Sequence, residues 1–260
     1  MLLILLCSSV STHILYADSR CIQEKVLIQG GTYFQGANKS PFSDEKPMHE
    51  VTINSFNISM YETTNKDFYN WIMNSNLKYR YLKITKKQLD MGKNCFPVSR
   101  VNWLLASKYC ENKGGRLPTE SEWEYAASID IKNGFTKSEW SSGLTYPSVQ
   151  KEAPYYSKNN TDNNILYDSL VEVPLSLAGI NSINGMMGNL WEWTYDWYDS
   201  YSPEKAINPT GPTKGFWKVI RGGSFQNNYQ KDLMRTTTRN KLRPESHFAN
   251  VGFRCVWSSK

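Results

Sequence analysis

The chain has 260 residues, 40% of them hydrophobic and 13% aromatic, with a formal net charge of +6. This composition excludes a disordered or fibrous chain and provides enough apolar surface for one large domain with a buried core. Its 30 Lys and Arg are scattered, with no basic run of the kind that tracks a phosphate backbone, so no nucleic-acid partner is expected.

Residues 1–17 begin with the apolar run Met1 to Val10 and contain no Lys, Arg, Asp or Glu. They read as a signal peptide cut after Ala17, and the run is too short to span a bilayer. The expectation is an exported protein, periplasmic or secreted, without a transmembrane segment. Past this segment lie Cys21, Cys95, Cys110 and Cys255. An even number suits disulfides in an oxidising compartment, and the absence of a Cys-x-x-Cys pair argues against zinc.

In chain order, Val26 to Gly36 reads as a strand, a Gly-Gly break and a second strand. Val51, Ile53, Phe56, Ile58 and Met60 alternate with a phase slip at Ser55, read here as a bulge. Thr64 caps a helix with Phe68, Trp71 and Ile72 on one face, and Asn102 caps another that ends at Gly114 and Gly115. Thr119 to Glu122 forms a capping box before Trp123, Ala126 and Ala127. About sixty irregular residues follow Ser128 before two short strand-like pieces, Trp217 to Ile220 and Gly252 to Trp257. Few helices, short strands and much loop give an α+β single domain, not a doubly wound sheet.

Several ordered motifs stand out. They are Gly30 to Gly36, Asp44 to Val51, Tyr61 to Asn65, Pro97 to Trp103, Gly115 to Ala126, Gly188 to Trp193, Arg221 to Phe225 and Asn250 to Cys255. In this order the set resembles the formylglycine-generating enzyme family, the sulfatase-modifying-factor domain, over residues 24–258. The resemblance implies a variant of the C-type-lectin-like fold, low in regular secondary structure. Trp103, Trp123, Trp191 and Trp193 are expected in the core, and Arg116 and Arg254 are expected to tie loops to carboxylates.

The resemblance also implies site residues. Ser224, Trp191 and Asn250 match pocket positions. The two copper-binding cysteines of the family fall on Asn227 and Asp232, and without soft thiolates no copper is expected. His247 lies near the pocket segment as a candidate ligand-binding residue with Asn227 and Asn250, whereas His49 is read as structural. A structural Ca²⁺ is implied on Glu192 with the carbonyls of Gly185, Gly188 and Leu190; Gly185 stands where the family usually has Asn. A second Ca²⁺ site is implied near residues 156–170, where Asn159, Asn160, Asp162 and Asn163 match too poorly to assign. Family members often carry a disulfide at Cys110 and Cys255, which leaves Cys21 and Cys95 as the remaining pair.

Two readings of function follow. One is an oxidoreductase acting on a peptide or siderophore-like substrate, similar to periplasmic siderophore-maturation members that lack the same cysteines. The other is a non-catalytic C-type-lectin-like module binding a ligand or an envelope protein. In that second reading, residues 226–229 with Arg235, Arg239 and Arg243 form an adaptable polar surface. Sulfatase activation itself is the weakest reading.

Overall fold

The computed structural model describes residues 21–75, 80–131, 134, 136–140, 170–175, 179–227 and 231–259. Residues 1–17, read above as a signal peptide, and Asn159, Asn160, Asp162 and Asn163 lie outside the described residues.

Strands β1 (Lys25–Ile28) and β2 (Gly31–Gln35) are separated by Gly30, where a Cβ would sit 2.3 Å from the Ile53 carbonyl oxygen. Only glycine permits that approach. The turn sends the two strands into different sheets. β1 pairs antiparallel with β4 (Phe56–Ser59), whereas β2 pairs antiparallel with β3 (His49–Ile53). The slip at Ser55 is therefore a break between two sheets and not a bulge within one strand. Ser55 Oγ accepts from Gly30 N–H at 3.0 Å, and Asn54 N–H donates to Asn208 Oδ1 at 2.7 Å, so side chains satisfy the backbone donors at the crossing. The one-residue step lets Val51, Ile53, Phe56 and Ile58 meet in one apolar cluster from two sheets.

Four helices are described: α1 (Asn65–Met73), α2 (Arg80–Asp90), α3 (Trp103–Asn112) and α4 (Glu120–Ser128). The three read from the sequence begin at the expected caps. Thr64 Oγ1 accepts from Asp67 N–H at 3.1 Å, and Asn102 Oδ1 from Leu105 N–H at 3.0 Å. Thr119 and Glu122 form the reciprocal capping box. Helix α2 has no counterpart among the elements expected from the sequence; four of its eleven residues are basic, and they lie on an amphipathic pattern.

The chain's centre is β7 (Trp191–Trp197), absent from the elements expected from the sequence although aromatic residues at 191, 193, 195 and 197 alternate strictly with Glu192, Thr194 and Asp196; six of the seven are buried or half-buried, so both faces are covered. Beyond the short pair β5 (Ile129–Asp130) and β6 (Thr136–Lys137), the remaining strands are β8 (Ala206–Ile207), β9 (Lys218–Arg221), β10 (Arg239–Leu242), β11 (Val251–Gly252) and β12 (Val256–Ser258). The sheets run β1-β4-β12, β2-β3-β8 and β10-β9-β7-β11. In the last, Trp193 opposes Ile220 and Trp197 opposes Lys218. Three residues of β7 thus face Val219 alone, and this bulge turns Asp196 inward.

Trp123, Trp191 and Trp193 are core residues. Trp103 is only partly buried: its indole N–H donates to the Thr194 carbonyl at 2.7 Å, and with Trp197 it sandwiches Lys218 Nζ at 3.9 Å from each ring. Both disulfides form. Cys110–Cys255 joins α3 to the residue before β12, and Cys21–Cys95 joins the first described residue to the loop after α2, with Cα atoms 5.4 and 5.5 Å apart. Among the described residues no helix is long and apolar enough to cross a membrane.

Candidate functional site

Two glycines with left-handed backbone, Gly222 at φ +99° and Gly223 at φ +74°, bend the chain at the end of β9. A Cβ on Gly223 would lie 2.7 Å from Met234 Cγ, so the turn needs glycine for both conformation and space. Gly188 N–H donates to Gly222 O at 2.8 Å and Phe225 N–H to Asn189 O at 3.0 Å, locking the 188–193 and 221–225 loops together. Ser224 is left fully buried between them.

Its hydroxyl is committed. Ser224 N–H and Oγ–H both donate to Asn227 Oδ1, at 3.0 and 2.8 Å, and Oγ accepts from Asn250 Nδ2 at 3.3 Å. Trp191 joins through its backbone, N–H to Asn250 O at 2.9 Å, while its ring packs in the core. The fold thus gathers Ser224, Asn227, Asn250 and the Trp191 backbone. It does not bring in Asp232, whose half-exposed side chain lies 3.8 Å from Arg235. Nor does it bring in His247, which is exposed with Nδ1 3.2 Å from the Glu245 carbonyl. Among the described residues no base is hydrogen-bonded to Ser224, so they form no nucleophile–base pair here. A copper(I) ion does not fit either: positions 227 and 232 offer an amide and a carboxylate, and all four described cysteines are in disulfides.

Glu192 has a different partner from the one the resemblance implied. Its Oε1 accepts from Arg254 Nε and Nη2 at 3.0 and 2.7 Å; its Oε2 accepts from Arg254 Nε and Trp123 Nε1 at 2.8 and 2.9 Å. Both oxygens have their lone-pair directions taken, so Glu192 as it stands does not fit as a Ca²⁺ ligand beside the carbonyls of Gly185, Gly188 and Leu190. Arg254 does what was expected of it, as does Arg116, which holds Glu122 at 2.6 Å. Near this pair, Glu62 accepts from Asn189 Nδ2 at 2.6 Å and Leu190 N–H at 3.2 Å, anchoring the 188–193 loop. Burial first, and then the charge of Glu192, hold the Glu62 carboxyl well above the usual carboxylate range.

Arg235 and Arg239 are not surface residues, contrary to the sequence expectation. Arg235 pairs with buried Glu45 at 2.6 Å, and Arg239 grips Glu120 through Nε at 2.6 Å and Nη2 at 2.9 Å. A third buried pair, Arg221 with Glu124 at 2.5 Å, lies beside them. Each carboxylate comes from a segment distant in sequence, so no local pattern announced the pairing. Arg243 alone of the three is exposed; its guanidinium lies 5.1 Å from the Trp217 ring.

Comparison with known proteins agrees with this architecture. The chain is 30% identical over 257 residues to "Serine/threonine-protein kinase pkn1" of Chlamydia pneumoniae, covering 90% of this chain and 38% of that protein. It is 34% identical over 165 residues to the formylglycine-generating enzyme of Mus musculus, covering 62% of this chain and 44% of the enzyme. The chain therefore spans less than half the length of either relative. Among solved structures, Treponema denticola variable protein 1 superposes with a TM-score of 0.67 at 19% identity, covering 91% of this chain and 95% of the other; at that identity the likeness is one of fold. A family model described as the sulfatase-modifying factor enzyme 1-like domain matches residues 13–259, and the protein belongs to that formylglycine-generating-enzyme-like family.

Proposed function

We propose that the chain is an exported, non-catalytic recognition module of its family, binding a peptide, small molecule or envelope protein. The observation that carries this reading is the Asn227–Ser224 ring: an amide occupies the place of a thiolate and takes up the serine hydroxyl. Two disulfides support an oxidising compartment. The contact face is the 243–250 loop, which runs from Arg243 against Trp217 to Asn250 against Ser224. Phe216, Trp217 and Phe248 are exposed by 79%, 37% and 53%, and uncovered aromatic rings beside polar groups suit ligand recognition.

The test has two arms. Copper(I) competition and conversion of a Cys-x-Pro-x-Arg peptide to formylglycine should both be negative. Arrays of envelope glycans and peptides should give a ligand whose binding falls at least about tenfold in Trp217→Ala or Phe248→Ala, as for an interface anchor. Peptide conversion, or arrays blank throughout, would end this reading.

A further inference from the structure

A cavity of about 610 Å³ opens beside the 36–41 loop, with Met48, residues 137–139, Asp232, Arg235 and Thr237 in its walls. That volume is within the range of small-molecule sites. None of Trp217, Phe248 or Ser224 lines it, so it is distinct from the face proposed above.

Arg235 is only 4% exposed and forms part of this wall. Four of its five N–H donors are taken. Nη1 donates to Glu45 Oε2 at 3.0 Å and to Thr237 Oγ1 at 2.9 Å; Nη2 donates to Glu45 Oε1 at 2.6 Å and to Ser40 Oγ at 3.2 Å. The fifth, Nε–H, is buried and makes no hydrogen bond to a described residue. A buried donor without a partner costs stability and calls for an acceptor. Asp232 Oδ1 stands 3.8 Å from Nε, an attraction between charges but too long for a hydrogen bond.

The gap between these two atoms selects the partner. An oxygen about 2.9 Å from each of them spans 3.8 Å, accepting the Nε–H and giving its own proton to the carboxylate. A carbonyl oxygen takes the first bond but cannot give the second. An ammonium gives the second but cannot take the first. A hydroxyl does both. Charge points the same way: Arg235 is matched by Glu45 and Lys137 by Glu124, which leaves exposed Lys39 against Glu139 and half-exposed Asp232, too weak a field in water to select an ion. We propose that this cavity binds a neutral polyol, a sugar or sugar alcohol, one hydroxyl of which bridges Arg235 Nε and Asp232 Oδ1.

The rest of the wall fits the same chemistry. Lys137 Nζ is committed to the carbonyls of Phe34 and Gly36, at 2.6 and 2.9 Å, and to Glu124 at 2.9 Å, so it anchors the wall and not the ligand. Ser138 Oγ–H donates to the Trp140 carbonyl at 2.8 Å. Lys39 and Glu139 are an exposed donor and an exposed acceptor for further hydroxyls. Ala37, Pro41 and Met48 supply apolar surface for the C–H face that a sugar ring or alditol chain also carries.

The experiment is NMR of the whole chain carrying isotope-labelled arginine, following the Arg235 Nε–H signal. D-glucose, D-mannose and D-mannitol are titrated in turn, which separates ring sugars from an open alditol, with tetrahydropyran as the ring without hydroxyls. At least one polyol should move the signal saturably and slow its exchange with water, whereas tetrahydropyran should not. Asp232→Ala, a change at a half-exposed side chain, should weaken that binding at least about tenfold with little change in melting temperature. Asp232 is the position to vary because loss of the Arg235 guanidinium would strand buried Glu45. Trp217→Ala should leave the affinity unchanged, which separates this cavity from the 243–250 face. No saturable shift with any of the polyols, an equal response to tetrahydropyran, unchanged affinity in Asp232→Ala or a loss in Trp217→Ala would overturn the proposal. So would an Nε–H already protected without polyol, since water or Asp232 itself would then close the gap.

Discussion

Arg254 holds Glu192 through both carboxylate oxygens, and neither side chain touches solvent. The same guanidinium donates to the carbonyls of Ser59, Met60 and Asn184, so it joins the β4 end, the 188–193 loop and the approach to β12. Replacing it with Met strands a buried negative charge, at a cost of about 3–5 kcal/mol. Urea unfolding of Arg254→Met should show that loss. The double variant Glu192→Gln/Arg254→Met should recover part of it, because the amide oxygen still accepts from Trp123 and no charge remains.

Chelation provides a separate check on Glu192. A resident Ca²⁺ at a hundred times its Kd would add about 2.7 kcal/mol, or roughly 5–10 °C of melting temperature for a chain of this size. With Arg254 on both oxygens, the melting temperature should be the same in EDTA and in millimolar CaCl₂. A shift of several degrees would show that the ion displaces the guanidinium.

The two disulfides should differ in weight. Cys110–Cys255 has a sequence separation of 145 and Cys21–Cys95 one of 74. Chain entropy alone gives them about 5 and 4.5 kcal/mol, nearly the same. Their surroundings separate them: Cys110 and Cys255 sit in the large cluster with Trp193 and Phe253, whereas Cys21 and Cys95 pack with Val173 in a small one. Replacing Cys110 and Cys255 by Ala should therefore cost the upper part of the usual 2–5 kcal/mol range and more than replacing Cys21 and Cys95, as read by denaturant midpoints.

Asp196 makes stability depend on pH in a defined direction. Its folded carboxyl, raised to about 8, lies above the unfolded aspartate value of about 3.9. The folded state then binds the extra proton, so the stability this group confers is complete below about pH 4 and is lost as pH rises to about 8. Asn at this position cannot ionise. The stability of Asp196→Asn minus that of the natural chain should grow by up to about 1.4 kcal/mol per pH unit through this window and be flat above it. Lys218, lowered to about 8 chiefly by burial, is held up by the Asp196 charge and in turn lowers the Asp196 carboxyl, so the difference reports the aspartate together with its coupling to Lys218.

Local signals were legible in the sequence. Thr64, Asn102 and Thr119 each announced a helix start, because a cap is a contact within three or four residues. The ordered glycine and tryptophan motifs carried the family, and the disulfide pairs came with it. What escaped was set by distant partners. The Ser55 slip moved the chain to another sheet, and Glu45 and Arg235 lie 190 residues apart; β7 differs, because its strict aromatic–polar alternation from Trp191 to Trp197 was a local strand signal. Of the candidate site, the Ser224–Asn227–Asn250 group was foreseen as neighbours. Arg254 as the owner of Glu192 was not, since a carboxylate in a glycine-rich loop looks alike whether it meets a cation from the protein or one from solution.

The first sheet also sets an order of events during synthesis. β4 pairs with β1 within the opening part of the chain, but its other edge waits for Val256–Ser258. Roughly two hundred residues separate them, which at ribosomal speed means about 10–40 s with an unpaired strand edge on display. A nascent chain stalled before Val256 would carry that sticky edge permanently, so a chain cut before β12 should aggregate and not give a smaller working domain.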